Sequence, residues 1–235
     1  MCETCCNNVS RRTLMAGGLG LLAAASMSIT AQAQTRANAP SDTPDAALDK
    51  LMQGNERYIA GQMRERDFSA GRAMRTEGQA PFAAILGCAD SRIAPELAFD
   101  QGPGSLFVVR VAGNFVTSDG LASLEYGAAV LGTKVIMVLG HSHCGAVNAT
   151  VAALQKGNDL PGHIGDLVRA MKPGIEPVLQ KKDEDLRHQA VIANVRANVR
   201  QLQESKPILA DMVSSRTLRV VGGVYDLASG KVELV

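Results

Sequence analysis

Three short apolar runs set the tightest limit on what this chain can fold into: FAAIL at 82–86, SLFVVRVA at 105–112 and KVIMVLG at 134–140. Each has the length of a strand rather than a helix, and the last two are rich in β-branched residues. None alternates apolar with polar positions, so each is covered on both faces. Helical stretches lie between or after them, notably SDGLASLEYGAAVLG from Ser118 and AVNATVAALQKG from Ala146. Strands buried on both faces and separated by helices predict a single α/β domain with a mainly parallel central sheet flanked by helices.

The surrounding sequence fits that plan. Leu48, Leu51, Met52, Asn55, Tyr58 and Ile59 recur at helical spacing, with acids near the start and Gly61 near the end, which predicts an amphipathic packing helix. A long helix is expected in DEDLRHQAVIANVRANVRQLQES, and a closing strand pair in LRVVGGVYDL and KVELV, joined around Ser229 and Gly230.

The first residues read differently. Ser10, Arg11 and Arg12 precede an apolar stretch from Leu14 to Ile29, too short and too rich in Gly, Ala and Ser to span a bilayer comfortably. Ala31 and Ala33 offer small side chains to a signal peptidase. Residues 1–33 are therefore expected to be a twin-arginine-type signal peptide, 34–44 a polar, proline-punctuated linker, and 45–235 the folded domain. That organisation predicts a periplasmic or otherwise exported protein with no stable membrane insertion after cleavage. Cys2, Cys5 and Cys6 would leave with the leader. Acidic and basic residues balance in the remainder, so charge gives no argument for nucleic acid as a partner.

Two cysteines remain, and their surroundings carry chemistry. Cys88 follows the first predicted strand, and the third ends in GHSHCGAV at 140–147. In an open parallel sheet ligands gather at the carboxyl ends of strands, which puts Cys88, His141 and Cys144 on one rim. His-x-x-Cys is a short loop that lets an imidazole and a thiolate converge on one ion, and Gly145 frees the backbone for a tight turn into the next helix. Cys144 also sits near that helix's N-terminus, where thiolate is favoured. Two sulfurs and one imidazole suit Zn2+, and three protein ligands leave a fourth position open for chemistry. A Cys88–Cys144 disulfide is the rival reading in an oxidising compartment.

The blocks CADSRIAPELAF, GSLFVVRVAGN, SLEYGAAVLG, VLGHSHCGAV, ANVRANVRQLQES and LRVVGGVYDLASGKVEL together resemble the β-class carbonic anhydrases over roughly residues 45 to 235. The resemblance implies one zinc per subunit, held by Cys88, His141 and Cys144. It implies a dyad of Asp90 and Arg92, in which the arginine holds the carboxylate off the metal in the active form and the carboxylate becomes a fourth ligand in a closed form. Gln79 matches a glutamine that hydrogen-bonds substrate in one branch, Phe107 and Tyr126 match apolar wall residues, Ala112 stands where a valine is frequent, and Gly145 joins them at the substrate pocket. His143, between two ligands, matches no ligand position and is expected to face solvent. The chain has no Trp, so the tryptophan-containing inhibitory bicarbonate site of another branch is not expected in its usual form.

The reaction so implied is reversible hydration of carbon dioxide to bicarbonate and a proton through a zinc-bound hydroxide, in a homodimer or assembly of dimers with the cleft at the subunit interface. Two thiolates cancel the formal charge of Zn2+, which predicts a water pKa above the roughly 7 established for carbonic anhydrases with three histidine ligands, and a rate that rises on the alkaline side. The alternatives are a zinc-dependent hydrolase of carbonyl sulfide or carbon disulfide and a non-catalytic zinc- or bicarbonate-binding protein.

Overall fold

The computed structural model describes residues 43–180 and 185–235. The leader expected over 1–33, and all but the last two residues of the linker expected over 34–44, lie outside the described residues. In chain order, α1 (Pro44–Ile59) and the short α2 (Arg72–Thr76) lead into β1 (Ala83–Gly87), followed by α3 (Pro95–Ala98), β2 (Leu106–Arg110), α4 (Ser118–Ala129), β3 (Val135–His141) and α5 (Gly145–Lys156). Then come α6 (Ile164–Ile175), a 3-10 turn at Glu176–Val178, α7 (Leu186–Gln203), α8 (Ile208–Ser214), β4 (Arg219–Tyr225) and β5 (Val232–Leu234).

The strands form one sheet in the order β2-β1-β3-β4-β5, parallel throughout except for β5, which runs antiparallel to β4. All residues of β1 and β3 are buried, as their unbroken apolar runs predict. Alternate side chains feed two cores. Ala84, Leu86, Ile136 and Val138 face a layer with Leu124 of α4, Val147 and Val151 of α5, Met171 of α6 and Val195 of α7. Ala83, Ile85, Val135, Met137 and Leu139 face Ala47, Leu48 and Leu51 of α1 and Ala98 of α3.

Local sequence explains how the covering helices are fixed. Thr43 caps α1 by accepting from the Ala46 N–H at 3.2 Å, Pro44 opens the helix, and Asp45 and Arg57 suit its dipole at either end. Buried Asn55 donates to the carbonyls of Ala98 and Gly230 and accepts from the Val232 N–H, which staples α1 to α3 and to the β4–β5 connection. On the opposite face α7 lies close against β3 and β4. A β-carbon at Gly140 or Gly222 would stand 2.6 or 2.7 Å from Val195, so both positions need glycine.

The expected strands agree with the observed ones to within one or two residues at each end, and α1, α4, α5 and α7 occupy their expected stretches. The sequence reading did not delimit α6, which carries Pro173 and Gly174 near its end. The helix persists because it buries Gly165, Met171 and Ile175, and Gly174 admits α7, whose Ala197 would stand 2.8 Å from a β-carbon there. Among the described residues no helix is long and apolar enough to cross a membrane.

Candidate metal centre

The chain enters the sheet at β1, steps to β2 on one side, then crosses to β3 on the other. The crevice between the carboxyl ends of β1 and β3 is therefore a topological switch point, where ligands bind in such sheets. Cys88 leaves β1 directly into this crevice, His141 is the last residue of β3, and Cys144 is the N-cap of α5. One donor atom from each lies within 4.8 Å of the others, and all three residues are buried.

Each donor is oriented by its neighbours. His141 is 0% exposed, and its Nδ1 lies 2.9 Å from the Ser142 carbonyl, which can only accept. Nδ1 thus carries the proton and Nε2 presents a lone pair, for which no partner stands within hydrogen-bond reach. The two sulfurs lie 4.0 Å apart, about twice a disulfide bond, and both cysteines are free, so the disulfide reading is not realised. The pair shares a proton unequally. The hydrogen bond from Cys144 draws the Cys88 pKa down to about 4, with the Gly113 amide helping against burial. The same thiol–thiol bond and burial push Cys144 up. A buried imidazole lone pair with no partner and two sulfurs, one already thiolate, fit a zinc ion, which would take the second proton's place.

Asp90 and Arg92 stand beside this trio as a clamped pair. Arg92 donates from Nε to Oδ1 at 2.9 Å and from Nη2 to Oδ2 at 2.7 Å, and its backbone N–H adds a bond to Oδ1 at 3.0 Å. These bonds hold the Asp90 carboxyl well below the usual range, so it is an acceptor at all working pH values. Oδ2 lies 3.8 Å from His141 Nε2, which places the acid at the edge of the metal position. Arg92 also reaches the His143 carbonyl at 3.4 Å, and exposed His143 takes a left-handed φ of 55° to bend the loop between the two ligands.

The other expected pocket residues divide into two groups. Ala112 is half-buried two residues past β2, beside Gly113, whose N–H donates to Cys88 Sγ at 3.3 Å, and Gly145 is the exposed first residue of α5. Phe107, by contrast, pairs with Ala84, four residues before Cys88, or about 13 Å down the strand at roughly 3.3 Å per residue. Its ring packs on Tyr126, 6.4 Å between centroids, and Tyr126 is 48% exposed. Gln79 is exposed ahead of β1, at the amino end of the sheet. The chain thus gathers Cys88, Asp90, Arg92, Ala112, His141, Cys144 and Gly145, and does not bring Gln79, Phe107 or Tyr126 to them.

The sequence reading missed Arg110. It donates to the carbonyls of Cys88 at 2.8 Å, Asp90 at 2.6 Å and Ile93 at 2.9 Å, and so fixes the backbone of the loop that carries the ligand and the dyad. A lone arginine at the carboxyl end of an apolar strand was the available signal.

Fold and site together define an α/β protein whose Cys2His trio could hold a metal ion. Residues 83–232 match the family model described as carbonic anhydrase. The carbonic anhydrase of Mycolicibacterium smegmatis is 40% identical over 201 residues, covering 83% of this chain and 95% of that protein. Among solved structures, the Coccomyxa β-carbonic anhydrase in complex with acetazolamide superposes with a TM-score of 0.63 at 28% identity, over 80% of this chain and 84% of that one. One of two tetrameric β-carbonic anhydrases from Sordaria macrospora does so with a TM-score of 0.62 at 25% identity, over 70% and 86%. The chain belongs to the carbonic anhydrase family, in its β class.

Proposed function

We propose that this enzyme catalyses the reversible hydration of carbon dioxide to bicarbonate and a proton. The observation that carries the reading is the convergence of Cys88, Cys144 and the unpartnered His141 Nε2 beside an Asp90 already held by Arg92. Cys88, His141 and Cys144 would hold a zinc ion, which would supply a Lewis acid that lowers the pKa of water and so a nucleophile near neutral pH. Asp90, kept ionised by Arg92, would accept a hydrogen bond from the attacking water and so orient its lone pair toward the substrate carbon. Arg92 restrains the carboxylate from moving onto the metal, and Arg110 holds the loop beneath both. Ala112 offers an apolar surface to an uncharged substrate with little to hydrogen-bond.

The rest of that surface comes from a second copy of the chain. β2 is an edge strand with a half-exposed face, Tyr126 on α4 and Val130 at its C-cap are exposed, and Met63, Phe68 and Met74 are exposed on the segment before β1. An unpaired edge with this much apolar surface favours a partner. In a homodimer built on this face, the partner subunit's Gln79, the partner subunit's Phe107 and the partner subunit's Tyr126 complete the cleft. Val130→Glu is expected to yield monomers with little activity, read by sedimentation and stopped-flow hydration. An active monomer contradicts the shared cleft.

The arginine pair and apolar stretch at Arg11–Ile29 support work outside the cytoplasm, after twin-arginine export and cleavage past Ala33. The N-terminal residue of protein recovered from a periplasmic extract tests this. For the activity itself, purified protein should hold about one zinc per chain and hydrate carbon dioxide faster as pH rises from about 6 to 9, and Cys144→Ser should lose both properties. Zinc-loaded protein no faster than that control sinks the reading.

A further inference from the structure

Cys88 Sγ accepts one backbone hydrogen bond from outside its own loop, the Gly113 N–H at 3.3 Å, and the placement of that N–H is decided on α7. Asn194, 1% exposed, donates from Nδ2 to the Gly113 carbonyl at 2.8 Å. Four residues on, buried Asn198 donates to the Asn194 carbonyl at 2.8 Å and to Asn194 Oδ1 at 3.2 Å, while its own Oδ1 accepts from the Val116 N–H at 2.8 Å. Two asparagines on one helix face thus grip both ends of the 113–116 turn. Gly113 has a φ of 86°, and a β-carbon there would stand 2.5 Å from Met171 Sδ, so the turn is also set by close approach of α6.

We propose that Asn194 and Asn198 are positioning residues for the metal centre: they fix Gly113 so that its N–H donates to the Cys88 sulfur and sets that sulfur's donor strength toward the metal. The inference rests on the reading that zinc occupies the Cys2His site. A hydrogen bond to a thiolate withdraws charge from sulfur, so the metal keeps more of its positive charge and is a stronger acid at its open position. With two thiolates offsetting a divalent ion, each such donor counts. Water cannot replace this one, because Cys88 and Gly113 are buried. Two amides in a core are costly unless every polar group is paired, and here they are paired to the turn that touches the ligand rather than only to their own helix.

The test uses the full-length protein with cobalt in place of zinc and reads the thiolate-to-cobalt charge-transfer band. Asn194→Leu keeps the number and branching of side-chain heavy atoms and removes the donor to Gly113. Its band is expected at lower energy than wild type, since a sulfur without its hydrogen bond is more easily oxidised. Zinc should also be held about 10-fold or more weakly in chelator competition, because the freed sulfur is no longer held in place and its thiol gives up a proton less readily, which outweighs its stronger donation. Asn198→Leu should shift the band in the same direction and serves if Asn194→Leu does not fold. Val195→Ala loosens α7 against Gly140 without touching the relay and should leave the band in place. A band unmoved in both asparagine variants, or moved equally in Val195→Ala, overturns the inference. A wild-type protein that takes up cobalt with no thiolate band overturns instead the metal site on which it rests.

Discussion

The Asp90 carboxylate is clamped by Arg92 beside the metal position. Arg92 grips both of its oxygens at 2.7–2.9 Å, while Oδ2 stands only 3.8 Å from His141 Nε2. The guanidinium keeps the acid in place, since its fork matches the two oxygens and its charge lowers the acid's energy where it is.

Removing that grip should let the acid move onto the metal. Arg92→Ala is expected to keep its zinc and lose about 10- to 100-fold in hydration rate. Arg92→Lys should recover only part, because an ammonium cannot bind both oxygens in a fork. Stopped-flow hydration alongside zinc analysis checks this, and an Arg92→Ala variant of wild-type rate contradicts it.

Metal uptake should release protons in a defined number. Near neutral pH Cys88 is already thiolate, with a pKa drawn to about 4 by Cys144, while Cys144 keeps its proton because the same bond pushes it up. Zinc needs both as thiolates, so the sulfur pair should give up about one proton per zinc at pH 7. Calorimetry in buffers of different ionisation enthalpy measures the count. A release near two would mean that both thiols are protonated in the metal-free pair.

A second ionic cluster should govern acid stability. Asp100, its side chain 0% exposed, accepts from Arg57 Nε at 2.6 Å, from the Arg64 N–H at 3.2 Å and from the Arg66 guanidinium. Burial alone would raise its pKa, but Arg66, Arg57 and the Arg64 amide outweigh burial and hold it below the ordinary value. A depressed folded pKa stabilises the fold above the unfolded value of about 3.9, and that contribution disappears as pH falls through the folded pKa. Asp100→Asn should therefore destabilise by about 3 kcal/mol at pH 7, with the gap from wild type narrowing below about pH 4. Denaturant titrations at the two pH values test it, and a gap that stays constant would be inconsistent.

Gly54 should tolerate no side chain. A β-carbon there would lie 1.8 Å from the Phe99 carbonyl oxygen, and backbone on backbone cannot yield as a flexible side chain does. Gly54→Ala is expected to lift α1 from α3 and lower stability by about 3 kcal/mol, although alanine raises helix propensity by about 1 kcal/mol. Thermal melting of the variant measures the balance, and an unchanged melting temperature would refute the contact.

Much of the site was readable because its signals are short in range. Cys88 closes an apolar strand, His141 and Cys144 close another and share one turn, and Asp90 and Arg92 sit two and four residues past the first ligand. Parallel strands then carry all of them to one rim. Arg110, Asn194 and Asn198 were not readable, since each acts through backbone atoms 17 to 82 residues away, and an arginine in a strand or an asparagine in a helix has many common uses. Gln79, Phe107 and Tyr126 were found as types, but their distance from the chain's own metal centre was invisible before the register of β1 with β2 was known.

By itself the sequence indicated the strand set, the helices with clear apolar period and the three candidate metal donors, because hydrophobic period, strand ends and the short His-x-x-Cys loop are local signals, while the Asp90–Arg92 dyad came from the family resemblance. Tertiary structure alone decided strand order, the clamp on the Asp90 loop, the relay from α7 to the Cys88 sulfur and which pocket residues the chain keeps from its own site. Those depend on which groups meet after the chain has crossed the sheet, and contact between distant segments follows from packing that no local pattern encodes.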